Sequence, residues 1–254
     1  MNNFSPPLKA PNHVTFTGAC DPKQISMMRD FQGRFPGRVE WGILLSAKKA
    51  GEPRYPNIED AQEFFAAGLT IGLNVAAHVC GDLALLANST KTVDFLQELA
   101  KWTGGHLAPV VQVNCDAPDG GRLVHLMLHP AAQAMHFPKA QRVRQVIAQT
   151  RGPNFPSDLY DGVNWLFDRS GGRGERPKYW PQHQGKHTLR GFAGGIGPNN
   201  LRTTLEQIHY ASQGDIGPYW IDMETGVCDG HGLNLSMVAV ILNQLEGIFP
   251  EWGG

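Results

Sequence analysis

The sequence predicts a single-domain α/β protein, a (β/α)8 barrel of the TIM type. Three observations carry that expectation. Short apolar runs alternate along the chain with segments of helical spacing, and eight such strand-then-helix units follow one another. The length of 254 residues fits the roughly 250 that eight units require. The apolar runs are nearly continuous, the pattern of parallel strands buried on both faces. A doubly wound open sheet is the alternative for the same alternation.

Residues 1–12, "MNNFSPPLKAPN", read as a proline-stiffened arm, and 13–254 as the barrel. "HVTFTG" is the first strand, and in the helix behind it Ile25, Met28 and Phe31 share a face. "RVEWGILLS" is the second strand. Its helix, "NIEDAQEFFAAG", carries Glu59 and Asp60 in the first turn, where negative charge suits the helix dipole. "TIGLNVAAHVCG" is the third strand, leading to the helix "VDFLQELAKWTG". "APVVQVN" is the fourth, with little room for a helix in the "DAPDGG" behind it. "RLVHLMLHP", residues 122–130, is taken as the fifth strand and "AQRVRQVIAQT", residues 140–150, as its helix. "GVNWLFD" is the sixth, followed by an extended glycine- and proline-rich loop at about 169–188. "GFAGG" begins the seventh unit, whose helix sets Leu201, Leu205 and Ile208 on one face. "PYWIDMETG" is the eighth strand and "LNLSMVAVILNQLEGIF" the closing helix.

Composition narrows the partners. A formal net charge of −1 gives no electrostatic reason to expect nucleic acid or an anionic membrane surface. No apolar run approaches the ~20 residues of a membrane span, and the first residues lack the charged start and apolar core of a secretory signal. Cys20, Cys80, Cys115 and Cys228 are far apart, with no C-x-x-C pair, so neither a structural zinc site nor a disulfide framework is expected. Isolated thiols of this kind suit a cytoplasmic setting.

The stretch "LRGFAGGIGPNNLRTTLEQI", residues 189–208, puts glycines between a strand and a helix start. Backbone N–H groups clustered at such a junction, with no Cβ in the way, favour an anion, phosphate above all. The alternative is a tight turn that needs glycine only for its backbone angles. In a barrel, phosphates commonly sit at the loops after strands seven and eight. The quoted glycines fall in the first of those loops and "ETGV", residues 224–227, in the second.

Several segments, in order, resemble the phosphoribosylanthranilate isomerase family of tryptophan biosynthesis. They are "PRYPNIEDA" after strand two, "VVQVN" on strand four, "NWLFDRSGGRG" on strand six, "FAGGIGPNNL" after strand seven and "IDMETGV" on strand eight. The resemblance implies an Amadori rearrangement, aldose to ketose, on a phosphorylated sugar conjugate, with no cofactor. It maps the general acid onto Asp168; the alternative is an aspartate that caps the turn before Ser170 and Gly171. The family's basic cysteine directly precedes a glycine at the end of strand one. Here Thr17 precedes Gly18, so Thr17 is grouped with the substrate-binding residues, and Cys20 is the base if its loop bends back over the mouth. Arg54 corresponds to the arginine near the substrate carboxylate, or is a solvated loop charge. Asn114 stands where the family has histidine. Asp222 would orient sugar hydroxyls, or is a buried hydrogen-bonded acid. Gly194, Gly195 and Gly226 match the phosphate-binding backbone, and Thr225 supplies a hydroxyl there.

Two other classes compete. His78, Cys80, His129 and Asp168 near strand ends suggest a metal-dependent phosphosugar epimerase or lyase. A barrel that keeps the phosphate turns without a base suggests a non-catalytic binder of a phosphorylated small molecule.

Overall fold

The computed structural model describes residues 7–106, 108–116, 118–128, 143–156 and 160–253. Eight parallel strands pair in chain order and close into a barrel: β1 (Val14–Thr17), β2 (Val39–Leu45), β3 (Val75–Cys80), β4 (Val110–Asn114), β5 (Gln145–Thr150), β6 (Val163–Asp168), β7 (Arg190–Ala193) and β8 (Tyr219–Met223). The circle closes where β1 pairs with both β2 and β8. The barrel reading holds, and the open sheet does not. Among the described residues, helices α1 (Ile25–Arg34), α2 (Ile58–Thr70), α3 (Asp82–Ala87), α4 (Thr92–Thr103), α5 (Gly120–Leu128), α6 (Leu201–Ala211) and α7 (Leu235–Ile248) accompany the strands. None is long and apolar enough to cross a membrane.

Local sequence explains the helix ends. Asn57 caps α2 by accepting from the Asp60 amide at 2.8 Å, and Asn234 caps α7 through the amides of Ser236 and Met237. Gly104, in the left-handed region, stops α4. Of the N-terminal arm, residues 9–12 run along the start of β8, where the Asn12 amide donates to the Tyr219 carbonyl at 2.7 Å. The Tyr219 hydroxyl donates in turn to the Lys9 carbonyl at 2.7 Å.

Two assignments are corrected. Residues 122–130 and 140–150 exchange roles: the first lies largely within α5 and the second contains β5. An apolar run as short as "RLVHLML" fits either period. Asp119 decides it, because its carboxylate accepts from the amides of Gly121 and Arg122 at 2.9 and 3.2 Å and starts a helix. Leu123 and Leu126 then turn inward at i, i+3. Val146, Ile147 and Thr150 are β-branched and suit the strand. The exchange also supplies the helix that the fourth unit seemed to lack. In the third unit, α2 continues to Thr70 and the strand begins only at Val75. As expected, residues 169–189 form a long connection without helix or strand.

The barrel interior has two unlike halves. Ile147, Leu166, Ala193 and Trp220, from β5 to β8, form an apolar cluster. Opposite them, Thr15, Thr17, Glu40, His78 and Gln112 are buried on β1 to β4. The polar half reaches across: Gln112 on β4 donates to Asp222 on β8 at 3.2 Å, although those strands lie on opposite sides of the barrel. Glycines on the strands make room for this filling. A Cβ at Gly42 would stand 2.7 Å from the His78 ring, and one at Gly191 would fall on the Trp220 indole.

Candidate functional site

Strand ends and loops at the carboxyl end of the barrel enclose a cavity of about 740 Å3. Gln112, Asn114, Gln149, Asp168 and Asp222 reach it from the strands, and the loops after β2, β6, β7 and β8 complete it. In barrels of this type, active sites collect at this end.

Five carboxyls line the cavity: Glu52 and Asp229 on its loops, and Asp168, Asp222 and Glu224 at the ends of β6 and β8. Asp222 is on β8 and Glu224 follows two residues later, so the strand's period of two turns both inward. Asp222 accepts from the Thr17 hydroxyl at 2.7 Å and from the Gln112 amide at 3.2 Å. Burial pushes its carboxyl up to about 6, against the downward pull of those two hydrogen bonds. Glu224 is pushed by burial to about 7. The Arg54 guanidinium, 2.9 Å away, pulls it down, while Asp222 and Asp168 push it up again. Both groups therefore exchange protons near neutral pH.

Asp168 is held differently. One oxygen accepts from the Ser170 amide and hydroxyl at 3.0 and 2.8 Å, the other from the Gly172 amide at 2.7 Å and Gln149 at 2.8 Å. All four partners are donors, so Asp168 caps the turn that begins the long loop. Ser170 extends this anchor by accepting from the Gly174 amide at 3.2 Å.

The glycine turns stand beside the carboxyls. Gly194 and Gly195 adopt φ of +125° and +61°, conformations open to glycine. Asn200 fixes the turn, accepting from the Gly197 amide at 3.0 Å and donating to the Gly195 carbonyl at 2.8 Å. Among the described residues, the amides of Gly194, Gly195 and Ile196 donate to no protein acceptor outside strand pairing, and all three residues line the cavity. Such amides form a concavity suited to an anion. After β8, a short 3-10 turn at Thr225–Val227 packs against them. Thr225 lines the cavity, whereas Gly226 lies off its wall, packed on the Ile196 carbonyl in the seam between the two turns.

The remaining candidates divide. Arg54 lines the cavity with its backbone at φ +75°, and its Nη1 donates to Glu224 and, at 3.4 Å, to the Thr225 hydroxyl. Asn114 is at the mouth, donating to the Cys80 sulfur at 3.5 Å. Thr17 lies beneath the cavity rather than on its wall. Cys20 is not brought to the mouth: its thiol donates to the His231 carbonyl at 3.4 Å, and burial pushes it up. Cys80 and Cys228 do line the cavity, but burial raises them to about 11 and about 12, so both stand as thiols at neutral pH.

Among the described residues, the candidate metal ligands are not brought together. His78 lies within the barrel below the cavity, touching Thr17 and Gln112 through Nδ1, and burial lowers it to about 3. His129 lies outside the described residues. Among the described residues, no three His, Cys, Asp or Glu side chains group as ligands for an ion.

Sequence reasoning missed two residues. Glu224 was within reach, since it follows Asp222 at the strand period. Cys228 had no sequence signal. It comes from a hairpin, β9 (Cys228–Asp229) and β10 (Gly232–Leu233), and its thiol donates to the Thr17 carbonyl at 3.3 Å, across 211 positions. Compared with known proteins, the chain matches no protein-family model and no curated protein sequence.

Proposed function

We propose that the protein is an enzyme that binds a phosphorylated sugar conjugate across the barrel mouth and isomerises it, aldose to ketose, by Amadori-type acid/base chemistry. The resemblance to phosphoribosylanthranilate isomerases motivates the reaction. The observation that carries it here is the pair Asp222 and Glu224, one buried and one half-buried carboxyl poised at about 6 and about 7 on one cavity with the glycine turns. The phosphate takes the amides of Gly194 to Ile196, and the conjugate's other end lies toward Arg54. Ring opening requires a proton delivered to the ring oxygen, and the rearrangement then requires one removed from C2. Glu224 delivers the first and Asp222, ionised above about pH 6, takes the second. Asp168 keeps the β6 loop over the ligand. A phosphate ester as substrate goes with a cytoplasmic location.

The test is the fluorescence decay of phosphoribosylanthranilate, followed with the wild type, Glu224→Gln and Asp168→Asn. The wild type is expected to convert it, with kcat/KM highest between about pH 6 and about pH 7. The rate falls below that window as Asp222 gains its proton and above it as Glu224 loses its own. Glu224→Gln should lower turnover by roughly 100-fold or more. Asp168→Asn should mainly raise KM. Binding without conversion would leave a phosphate-ester binder, and neither binding nor conversion would end the phosphosugar reading.

A further inference from the structure

His78 on β3 is fully buried beneath the cavity, and the reaction proposed above gives it no task. Its ring is fixed in place. The Cβ that Gly42 lacks would stand 2.7 Å from His78 Cε1 and 2.9 Å from Nε2, so β2 leaves the imidazole only the room it takes. Nδ1 faces the Thr17 hydroxyl at 3.4 Å and the Gln112 side-chain nitrogen at 3.2 Å. Nε2 is buried and, among the described residues, meets no partner.

His78, lowered by burial to about 3, is neutral near pH 7 and carries a single ring proton. A count of hydrogens places that proton. Thr17 gives its one hydroxyl hydrogen to Asp222 at 2.7 Å, so toward His78 it can only accept. Gln112 has two amide hydrogens for three acceptors: Asn114 Oδ1 at 3.1 Å, Asp222 Oδ2 at 3.2 Å and His78 Nδ1. With the ring proton on Nδ1, His78 donates to Thr17 while Gln112 serves Asn114 and Asp222, and every hydrogen has an acceptor. With the proton on Nε2, a buried N–H lacks an acceptor, which is costly, and Thr17 faces Nδ1 with no hydrogen between them.

Asp222 needs these donors. Among the described residues, the charged groups that act on it are carboxyls: Asp168 on β6, Glu224 just past β8 and Glu40 on β2. The hydrogen bonds from Thr17 on β1 and Gln112 on β4 are what favour its ionised form. A hydroxyl whose oxygen already accepts a hydrogen bond donates more strongly, because successive bonds polarise one another.

We propose that His78 is a positioning residue for Asp222: its Nδ1–H donates to the Thr17 hydroxyl, which donates in turn to Asp222, and this chain across β3, β1 and β8 keeps the base ionised and fixed at the cavity floor. His78 keeps its proton throughout and touches no ligand. The role of Asp222 as base rests on the functional reading above, while the chain itself belongs to the folded protein without ligand.

Nitrogen-15 NMR of the wild type reads the tautomer. The proton is expected on Nδ1 around neutral pH with Nε2 bare, and a proton on Nε2 overturns the chain. Carbon-13 titration of the aspartate carboxyls reads its effect. His78→Leu fills a similar volume without a donor and should move Asp222 up. His78→Asn, whose amide nitrogen can stand near the place of Nδ1, should bring it back toward the wild-type midpoint. A role in packing alone predicts the reverse order, because leucine fills the space better than asparagine. In a Thr17→Val background, His78→Leu should add no further rise. A rise as large as in the wild-type background, or an Asp222 unmoved by His78→Leu alone, overturns the proposal. If His78→Leu does not fold, the tautomer decides. With phosphoribosylanthranilate as substrate, the acid limb of kcat/KM should move up in His78→Leu by as much as the Asp222 midpoint. If the wild type does not convert that substrate, the functional reading fails, and the tautomer and the carboxyl titration still decide the chain.

Discussion

Asp222 is held by donors from two other strands, Thr17 on β1 and Gln112 on β4. Thr17 therefore tunes the site without lining it. Thr17→Val keeps the shape and removes the hydroxyl, leaving one Asp222 oxygen without that donor, at a cost of about 1–3 kcal/mol. Because that hydrogen bond lowers Asp222, its loss should move the carboxyl further up from about 6. A carbon-13 NMR titration of the aspartate carboxyls reads this directly, with Thr17→Ser restoring the wild-type curve. An unmoved Asp222 in Thr17→Val would remove the role given to Thr17. At this scale, legibility follows distance along the chain. Asp222 and Glu224 share a face by the two-residue period of one strand, so their convergence is local. The contact between Cys228 and Thr17 spans 211 positions and depends on closure of the whole barrel, which no spacing rule encodes.

Among the elements, the alternation of strands and helices was readable because most units carry unambiguous period and turn residues. The fifth was not, because seven apolar-rich residues cannot distinguish a buried strand from a helix. Asp119 held the deciding information as a cap, three residues before Arg122. The glycine turn after β7 was readable as a turn, but its tightness is tertiary. A Cβ at Gly195 would stand 2.6 Å from the Gly174 carbonyl oxygen, in the loop after β6. Gly195→Val therefore does more than block the amides: it pushes the β6 loop off the β7 turn and strains the backbone at φ +61°. The expected cost is roughly 1–3 kcal/mol, a fall in Tm of several degrees in a chain of this size. Affinity for phosphate esters should drop about tenfold or more, as the concavity opens. Calorimetry on the apo protein and titration with ribose phosphate measure the two effects separately. Full affinity in Gly195→Val would place the phosphate elsewhere.

For the whole molecule, the polar half of the barrel interior sets how stability responds to pH. Burial raises Glu40, which accepts from the Thr15 hydroxyl at 3.0 Å, from 4.5 to about 7. Between those values the folded chain holds a proton that the unfolded chain has released, so stability falls as pH rises through the window. Burial lowers His13 and His78 from 6.5 to about 4 and about 3. There the unfolded chain holds the extra protons, so stability rises with pH up to about 6.5. Asp222 and Glu224, raised to about 6 and about 7, add to the slope of Glu40, and His183 and His209, lowered by burial, add to that of the other two histidines. The opposing slopes overlap between about pH 4.5 and 6, and the wild type should show a shallow net dependence there. Glu40→Gln separates them, since glutamine can still accept from Thr15 but never ionises. At pH 4, Glu40 is neutral in both states and the substitution should change little. At pH 8 it removes a buried charge and should stabilise the fold by about 3 kcal/mol, the linkage equivalent of the raised Glu40 carboxyl. Thermal unfolding of both proteins at the two pH values checks this. The variant's Tm should exceed the wild type's by several degrees at pH 8 and match it at pH 4, and an equal difference at both would mean that Glu40 does not titrate within the barrel.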